Sequence, residues 1–445
     1  MNPPPPRRGP RPLPLHLMLA ASRGSAALLA SPALPPPSQG WPQAWTQGWT
    51  PGRPQEHPGE PATPPGWPTA WPSWSAGWPR SSCGRQEAAR IGAALAAGGH
   101  RPEAFHAAVL RRLLREDRAL LRGLAAYRTH PHQRRLAEPA VLWAEGGSRL
   151  LDHAPGASGP AVLFIPSLIN KASVLDLDEG ASLLRWLAGQ GVRPLLLDWG
   201  WPGPEERRFD LTAYVAGRLE RALMALPHPV VLAGYCMGGL LALAAAQRRP
   251  DRVRALALLA TPWDFHAENP AAARALAALL PVLEPAMAPL EALPVEALQV
   301  LFAMLDPFAI TEKFRRFSRL PMDGPAARRF VVLEDWLNDG VPLAAPVARE
   351  VLAGWYGANT PARGEWRVAG QAVNPAALAM PAFCVIPSRD RIVPPASAEA
   401  LAAALPGCQL HRAAAGHIGM VTGSGAEAAL WRPFKEWLHS LPAPI

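Results

Sequence analysis

One Gly-rich hexapeptide constrains this chain more than any other stretch: Gly234-Tyr235-Cys236-Met237-Gly238-Gly239. Ahead of it, Pro229-Val230-Val231-Leu232-Ala233 is short, apolar and rich in β-branched residues. Behind it, Leu240-Leu241-Ala242-Leu243-Ala244-Ala245-Ala246 holds strong helix formers and no breaker. A strand, a Gly-x-Cys-x-Gly turn and a helix together make a nucleophile elbow. Gly234 and Gly238 lack a side chain, so strand and helix can approach closely. Cys236 then sits at a helix N-terminus, which favours thiolate over thiol. The amide of Met237 follows and can point at an oxyanion. Taken alone, the hexapeptide also fits a buried structural cysteine in a Gly-rich turn.

The flanking segments alternate. Residues 161–165, 194–198, 229–233 and 253–259 read as buried strands, separated by helices near 179–188, 211–225 and 240–246. Residues 141–143 and 148–151 read as a short hairpin ahead of them. Strands joined by helices of this length imply a parallel sheet with crossover helices. From about 266 to 375 the alternation gives way to helices and loops, which reads as a cap inserted near the site. A strand at 382–386, another near 408–411 and a helix over 426–438 resume the sheet. Residues 86–135 read as helical, with stretches near 86–97 and 103–126.

Residues 1–85 hold 21 of the 54 prolines and 7 of the 17 tryptophans (41, 45, 49, 67, 71, 74 and 78). Such density of Pro and Gly argues for a disordered low-complexity tail without regular helices. The formal charge of +9 divides into +5 on residues 1–85 and +4 on the remainder. The folding part is thus only mildly basic, and no Lys/Arg run with interleaved aromatics suggests nucleic-acid binding. Four cysteines (Cys83, Cys236, Cys384, Cys408) make neither a disulfide framework nor a C-x-x-C metal site. Cys384 and Cys408 read as core residues, and a reducing, cytoplasmic compartment fits them. No transmembrane helix is expected, because no run of 18 apolar residues occurs. His16, Arg23 and several prolines break the export-signal-like stretch over 13–34.

A thiol nucleophile needs a base, and the base needs an orienting acid. Asp390 lies in Arg389-Asp390-Arg391, just past the strand at 382–386, and His417 lies in Gly416-His417-Ile418-Gly419 after the last strand. The order nucleophile, acid, histidine is the order such a fold requires. His411 competes as base but falls inside a strand. Asp198 and Asp264 also follow strands and read as secondary polar groups. A second oxyanion amide is expected in the loop after residues 161–165, at Leu168 or its neighbour Ser167. Cysteine in place of serine suits exchange with a thioester, since nucleophile and leaving group are chemically alike.

These stretches resemble the polyhydroxyalkanoate synthases, and most closely their short, two-component class III type. The resemblance runs from about Leu163 to the C-terminus. It is carried by Pro166-Ser167-Leu168-Ile169-Asn170-Lys171 with Val174-Leu175-Asp176-Leu177, by Asp198-Trp199-Gly200 with Pro202, and by Asp210-Leu211-Thr212-Ala213-Tyr214. The Cys236 box, Thr261-Pro262-Trp263-Asp264-Phe265, the Asp390 loop through Pro395 and Gly416-His417-Ile418-Gly419 complete it. The resemblance implies an α/β-hydrolase fold: a mostly parallel central sheet, a helical cap insertion and, here, a disordered Pro/Trp-rich N-terminal tail. The expected division is a tail over 1–85, a helical segment over 86–135, core over 136–265, cap over 266–375 and core again over 376–445.

The implied activity is polymerisation of 3-hydroxyacyl-CoA into polyester with release of CoA. Cys236 would carry the acyl chain as a thioester. His417 would deprotonate the thiol and activate the incoming 3-hydroxyl, and Asp390 would orient His417 or share that activation. The backbone amides of Met237 and Leu168 would hold the oxyanion. No cofactor or metal is implied beyond the CoA thioester substrate. The implied partners are a polyester granule surface, a helical synthase subunit and a second copy of the chain. Two alternatives stand beside it. One is a cysteine-dependent hydrolase, resembling dienelactone hydrolases or a thioesterase, and the other is a non-catalytic granule-associated binding protein.

Overall fold

The computed structural model describes residues 7, 9–29, 82–306 and 309–442. Its residues fall into two compact units, one comprising Pro14–Leu124 with Phe308–Arg319, the other Met1–Leu13, Ala125–Pro307 and Leu320–Ile445. The smaller unit is helical: α1 (Leu13–Leu29), α2 (Ser82–Ala97), most of α3 (Pro102–Thr129) and the helix Ala309–Phe317. Within it Arg315 is buried beside Glu116 at 3.3 Å, and the His16 ring meets Phe314 edge-on at 5.8 Å.

Helix α1 overturns part of the expected disordered tail. Its only proline, Pro14, lies in the first turn, where the missing N–H and fixed φ are tolerated. Leucines and alanines then run to Leu29 without another proline. Helix α2 likewise starts at Ser82, four residues before the expected 86. The seven tail tryptophans lie outside the described residues.

The larger unit is built on an eight-stranded sheet: β1 (Ala140–Glu145), β2 (Ser148–Asp152), β3 (Ala161–Ile165), β4 (Arg193–Asp198), β5 (Val230–Tyr235), β6 (Val253–Leu259), β7 (Ala382–Pro387) and β8 (Gln409–Ala413). Their order is β1-β2-β4-β3-β5-β6-β7-β8. Strand β2 is antiparallel to β1 and β4, and all other neighbours are parallel. The inner strands are buried on both faces, which is why they read as unbroken apolar runs. Helices α4 (Leu183–Gly189) and α5 (Met237–Arg248) flank the sheet, and their apolar residues divide between two layers. Helix α4 starts later than expected because Ser182 caps it, its hydroxyl accepting from the Arg185 amide at 3.0 Å. Helix α5 is buried almost along its whole length, so it runs between layers rather than along the surface.

Between β6 and β7 come short helices, among them α6 (Pro325–Asn338) and the π-helical turn Glu350–Gly357, with two two-stranded ribbons. Helices α7 (Pro395–Ala404) and α8 (Arg432–Ser440) pack on the late strands.

Candidate functional site

The strand-to-helix turn folds as its glycines require. A Cβ on Gly234 would lie 2.3 Å from the Gly239 Cα, and one on Gly238 would lie 2.1 Å from the Ile165 carbonyl oxygen. A Cβ on Gly239 would meet the Thr261 hydroxyl at 1.9 Å. Side chains are excluded at all three positions, so β5, α5 and the loop after β3 close on one another. Cys236 takes up the resulting strain, with φ 56° and ψ −130°. Its amide donates to Leu259 at 2.8 Å, and its carbonyl accepts from the Gly239 amide at 2.9 Å. The Cys236 backbone is therefore pinned on both sides.

His417 and Asp390 arrive from the loops after β8 and β7. His417 Nδ1 donates to Asp390 Oδ2 at 2.6 Å, and Cys236 is among the groups that act on the His417 ring. The other Asp390 oxygen accepts from the amides of Ile392 at 2.8 Å and Val393 at 2.9 Å. Both carboxylate oxygens are thus occupied, and the carboxylate is fully buried. Burial works against a charged His417, but the interaction with Cys236 and the bond to Asp390 outweigh it and raise its pKa to about 10. The arrangement sets an oriented imidazole by the thiol, able to take up a proton and deliver it to a leaving group.

Met237 is the first residue of α5 and buried; the first-turn N–H groups of a helix have no intrahelical partner. Leu168 is buried in the loop after β3, where Trp199 Nε1 donates to the Pro166 carbonyl at 3.0 Å and Ser167 Oγ accepts from the Ile169 amide at 3.0 Å. The Ile165 and Pro166 carbonyls that lead into that loop lie directly against Gly238. His411 points elsewhere: Nε2 meets the Ala429 carbonyl at 2.9 Å. Asp198 pairs with Arg149 at 2.9 Å, and Asp264 accepts from the His266 amide and Asn359 Nδ2, each at 2.8 Å. They hold loops, as their secondary role in the sequence suggested.

Two tyrosines escaped the sequence reading. Tyr235 stacks on the His417 ring at 5.1 Å, and its hydroxyl donates to the His417 carbonyl at 3.3 Å. Its place beside Cys236 in the hexapeptide was the available signal. Tyr356, in the π-helical turn, has its hydroxyl pKa pushed up to about 12, chiefly by burial and further by Cys236. Nothing in its local sequence marks it. A cavity of about 570 Å³ lined by His132, Arg135, Asp178, Arg328 and Arg329 contains none of the three reactive side chains. Among the described residues no group of three or more His, Cys, Asp or Glu is placed to hold a metal ion, and no helix is long and apolar enough to cross a membrane.

Residues 160–424 match the family model of the alpha/beta hydrolase fold. The chain is 27% identical over 309 residues to a poly(3-hydroxyalkanoate) polymerase subunit PhaC from Haloferax mediterranei, covering 67% of this chain and 63% of that one. It spans less than two thirds of that relative. The PhaC subunit of Allochromatium vinosum is 27% identical over 296 residues, covering 64% of this chain and 82% of its own. The PhaC subunit of Synechocystis sp. is 28% identical over 293 residues, covering 62% and 77%.

Proposed function

We propose a polymerase function from one premise: the chain belongs to the alpha/beta hydrolase fold family. The proposed reaction is polymerisation of 3-hydroxyacyl-CoA into polyester with release of CoA. The observation that carries it is a cysteine, not a serine, at a strained elbow, with His417 bonded to Asp390 and acted on by Cys236. The names of the relatives support the same reading.

In this reading the Cys236 thiolate attacks the thioester carbonyl carbon, and the amides of Met237 and Leu168 take the oxyanion. The C–S bond to CoA breaks, His417 gives its proton to the CoA sulfur, and the acyl group stays on Cys236. The 3-hydroxyl of an incoming unit then loses its proton to His417 as its oxygen attacks the Cys236 thioester. An ester forms and the Cys236 thiolate leaves, restoring the charged pair. The first step exchanges one thioester for another and is close to balanced, whereas ester formation releases the chain from sulfur. The double engagement of Asp390 supports an orienting role over direct activation of the hydroxyl. A polyester granule surface, a helical partner subunit, a second copy of the chain and a cytoplasmic location belong to the same proposal.

The test is CoA release from 3-hydroxybutyryl-CoA by the full chain beside Cys236→Ala, with products sized by chromatography. High-mass polyester with CoA, absent in the variant, is the expected result. CoA with only free 3-hydroxy acid would replace the polymerase with a thioester hydrolase. No release, with or without an added helical synthase subunit, would overturn both.

A further inference from the structure

We infer that the cavity walled by His132, Arg135, Asp178, Arg328 and Arg329 binds the phosphate group of a small ligand, at a site apart from Cys236. Its volume is about 570 Å³, and its wall comes from residues 131–135, residues 177–181 and the first half of α6. The first two stretches are fastened to each other. His132 Nε2 donates to Asp178 Oδ2 at 2.8 Å, and the Arg134 guanidinium donates to the carbonyls of Leu177 at 3.1 Å and Asp176 at 2.9 Å. The turn over 177–181 is closed by the Ala181 amide, which donates to the Asp178 carbonyl at 2.9 Å. His130 Nε2 meets the Met322 carbonyl at 2.7 Å and so ties the first stretch to the segment that leads into α6. The cavity is therefore preformed, which lowers the ordering cost of binding.

The wall carries the guanidiniums of Arg135, Arg328 and Arg329 and the carboxylates of Asp178 and Glu179. His132 already engages Asp178. Just outside the cavity, Arg185 is committed to the Asp176 carboxylate at 2.8 Å and Arg134 to backbone carbonyls. By contrast, the guanidiniums of Arg135, Arg328 and Arg329 make no hydrogen bond or ion pair within the described residues. Arg135 and Arg328 are exposed and Arg329 is half-buried, so a ligand from solvent reaches all three. The first turn of α6 adds no acidic residue. A phosphate suits such a wall: guanidinium forks take its oxygens bidentately, and a dianion can serve more than one fork at once. Leu177, Ala181 and Val332 add apolar surface for an organic part. That phosphate can arrive on a nucleotide, the phosphorylated adenosine end of CoA included, or as free phosphate. Binding requires neither a polymerase nor any other activity, so it stands apart from the function proposed above.

The experiment titrates the full chain with adenosine 3′,5′-bisphosphate and with inorganic phosphate in a calorimeter, at low and at high salt. Wild type stands beside Arg135→Gln, the double change Arg328→Gln with Arg329→Gln, and Arg363→Gln, a control whose guanidinium pairs with Glu365 at 2.8 Å and does not line the cavity. Saturable binding of at least one probe is expected, weaker at high salt. The cavity variants should weaken it by about tenfold or more, and Arg363→Gln and Cys236→Ala should leave it unchanged. Tighter binding of the bisphosphate assigns the site to a nucleotide, and tighter binding of phosphate assigns it to the free ion. Binding of neither probe would overturn the inference, as would an affinity that the cavity variants leave intact. Phenylglyoxal labelling of the wild type, mapped by peptide mass spectrometry, decides should the variants fail to fold: the bound probe should protect Arg328 and Arg329, and labelling there that ignores the probe would sink the site.

Discussion

At the scale of single residues, His417 takes its charge from its neighbours. Burial alone would drive it neutral, and Cys236 and Asp390 raise its pKa to about 10. In the proposed reaction, acylation of Cys236 takes away one of these neighbours and leaves Asp390 to oppose burial. His417 would then move toward its neutral form when a base is wanted for the incoming hydroxyl. This chemistry depends on Nδ1 donating to Asp390, which leaves Nε2 to face the substrate. Asp390→Asn presents an amide where a carboxylate accepted, and favours the wrong tautomer. The expected outcome is a fall in kcat of about 10³–10⁴-fold, read from CoA release, with KM much less affected. A fall of less than about tenfold would remove Asp390 from the orienting role. In His417→Gln, alkylation of Cys236 by iodoacetamide near pH 7 should slow by about tenfold or more, because the thiolate loses its counter-ion. An unchanged rate, followed by mass spectrometry of the Cys236 peptide, would show that His417 does not sustain the thiolate.

At the scale of elements, the elbow was legible because its glycines answer a local question about space. Gly238→Ala should be the harsher change, since its Cβ would meet two backbone oxygens, Ile165 at 2.1 Å and Pro166 at 2.5 Å, that cannot rotate away. We expect a loss of about 1–3 kcal/mol or more, measured by chemical unfolding, and reduced CoA release because the Leu168 loop is displaced. Gly419→Ala, where nothing lies within 4 Å, is the matched control and should unfold like the wild type. The order and parallel pairing of β3 to β8 followed from apolar runs separated by helices, and Asp390 and His417 followed from loops at strand ends. What stayed hidden depended on tertiary packing or on short-range detail. Tyr356 nears Cys236 through a π-helical turn more than a hundred residues downstream. Helix α1 was hidden by the overall proline density of residues 1–85, which is uneven and leaves the stretch after Pro14 uninterrupted up to Leu29.

At the scale of the whole chain, 41 arginines against 3 lysines make buried guanidinium groups a recurrent device. In the larger unit Arg218 is fully buried, paired with Glu206 at 3.1 Å and Glu145 at 3.2 Å, and its guanidinium lies over the Phe209 ring at 5.2 Å. Glu206→Gln strips away the buried one of its two carboxylate partners. The expected cost is about 3 kcal/mol, near the low end for a broken buried pair because Glu145 remains. The same residue shapes the acid limb of stability. Burial alone would raise the Glu206 pKa, but the Gly147 amide and Arg218 hold it below 4.5. Its contribution is therefore complete above its unfolded value and lost as pH falls through the lowered one. His417 acts with the opposite sign. Its pKa rises from 6.5 to about 10, so its contribution is complete below 6.5 and lost as pH climbs toward 10. Between these limits neither group has begun to lose its share, and stability should fall on both sides. Unfolding midpoints measured from pH 3 to pH 10, values chosen around the shifts these environments impose, should show the acid limb flattened in Glu206→Gln and the alkaline limb flattened in His417→Gln. An alkaline limb that survives His417→Gln unchanged would place the high-pH loss in other groups and leave the buried imidazolium without a role in holding the fold.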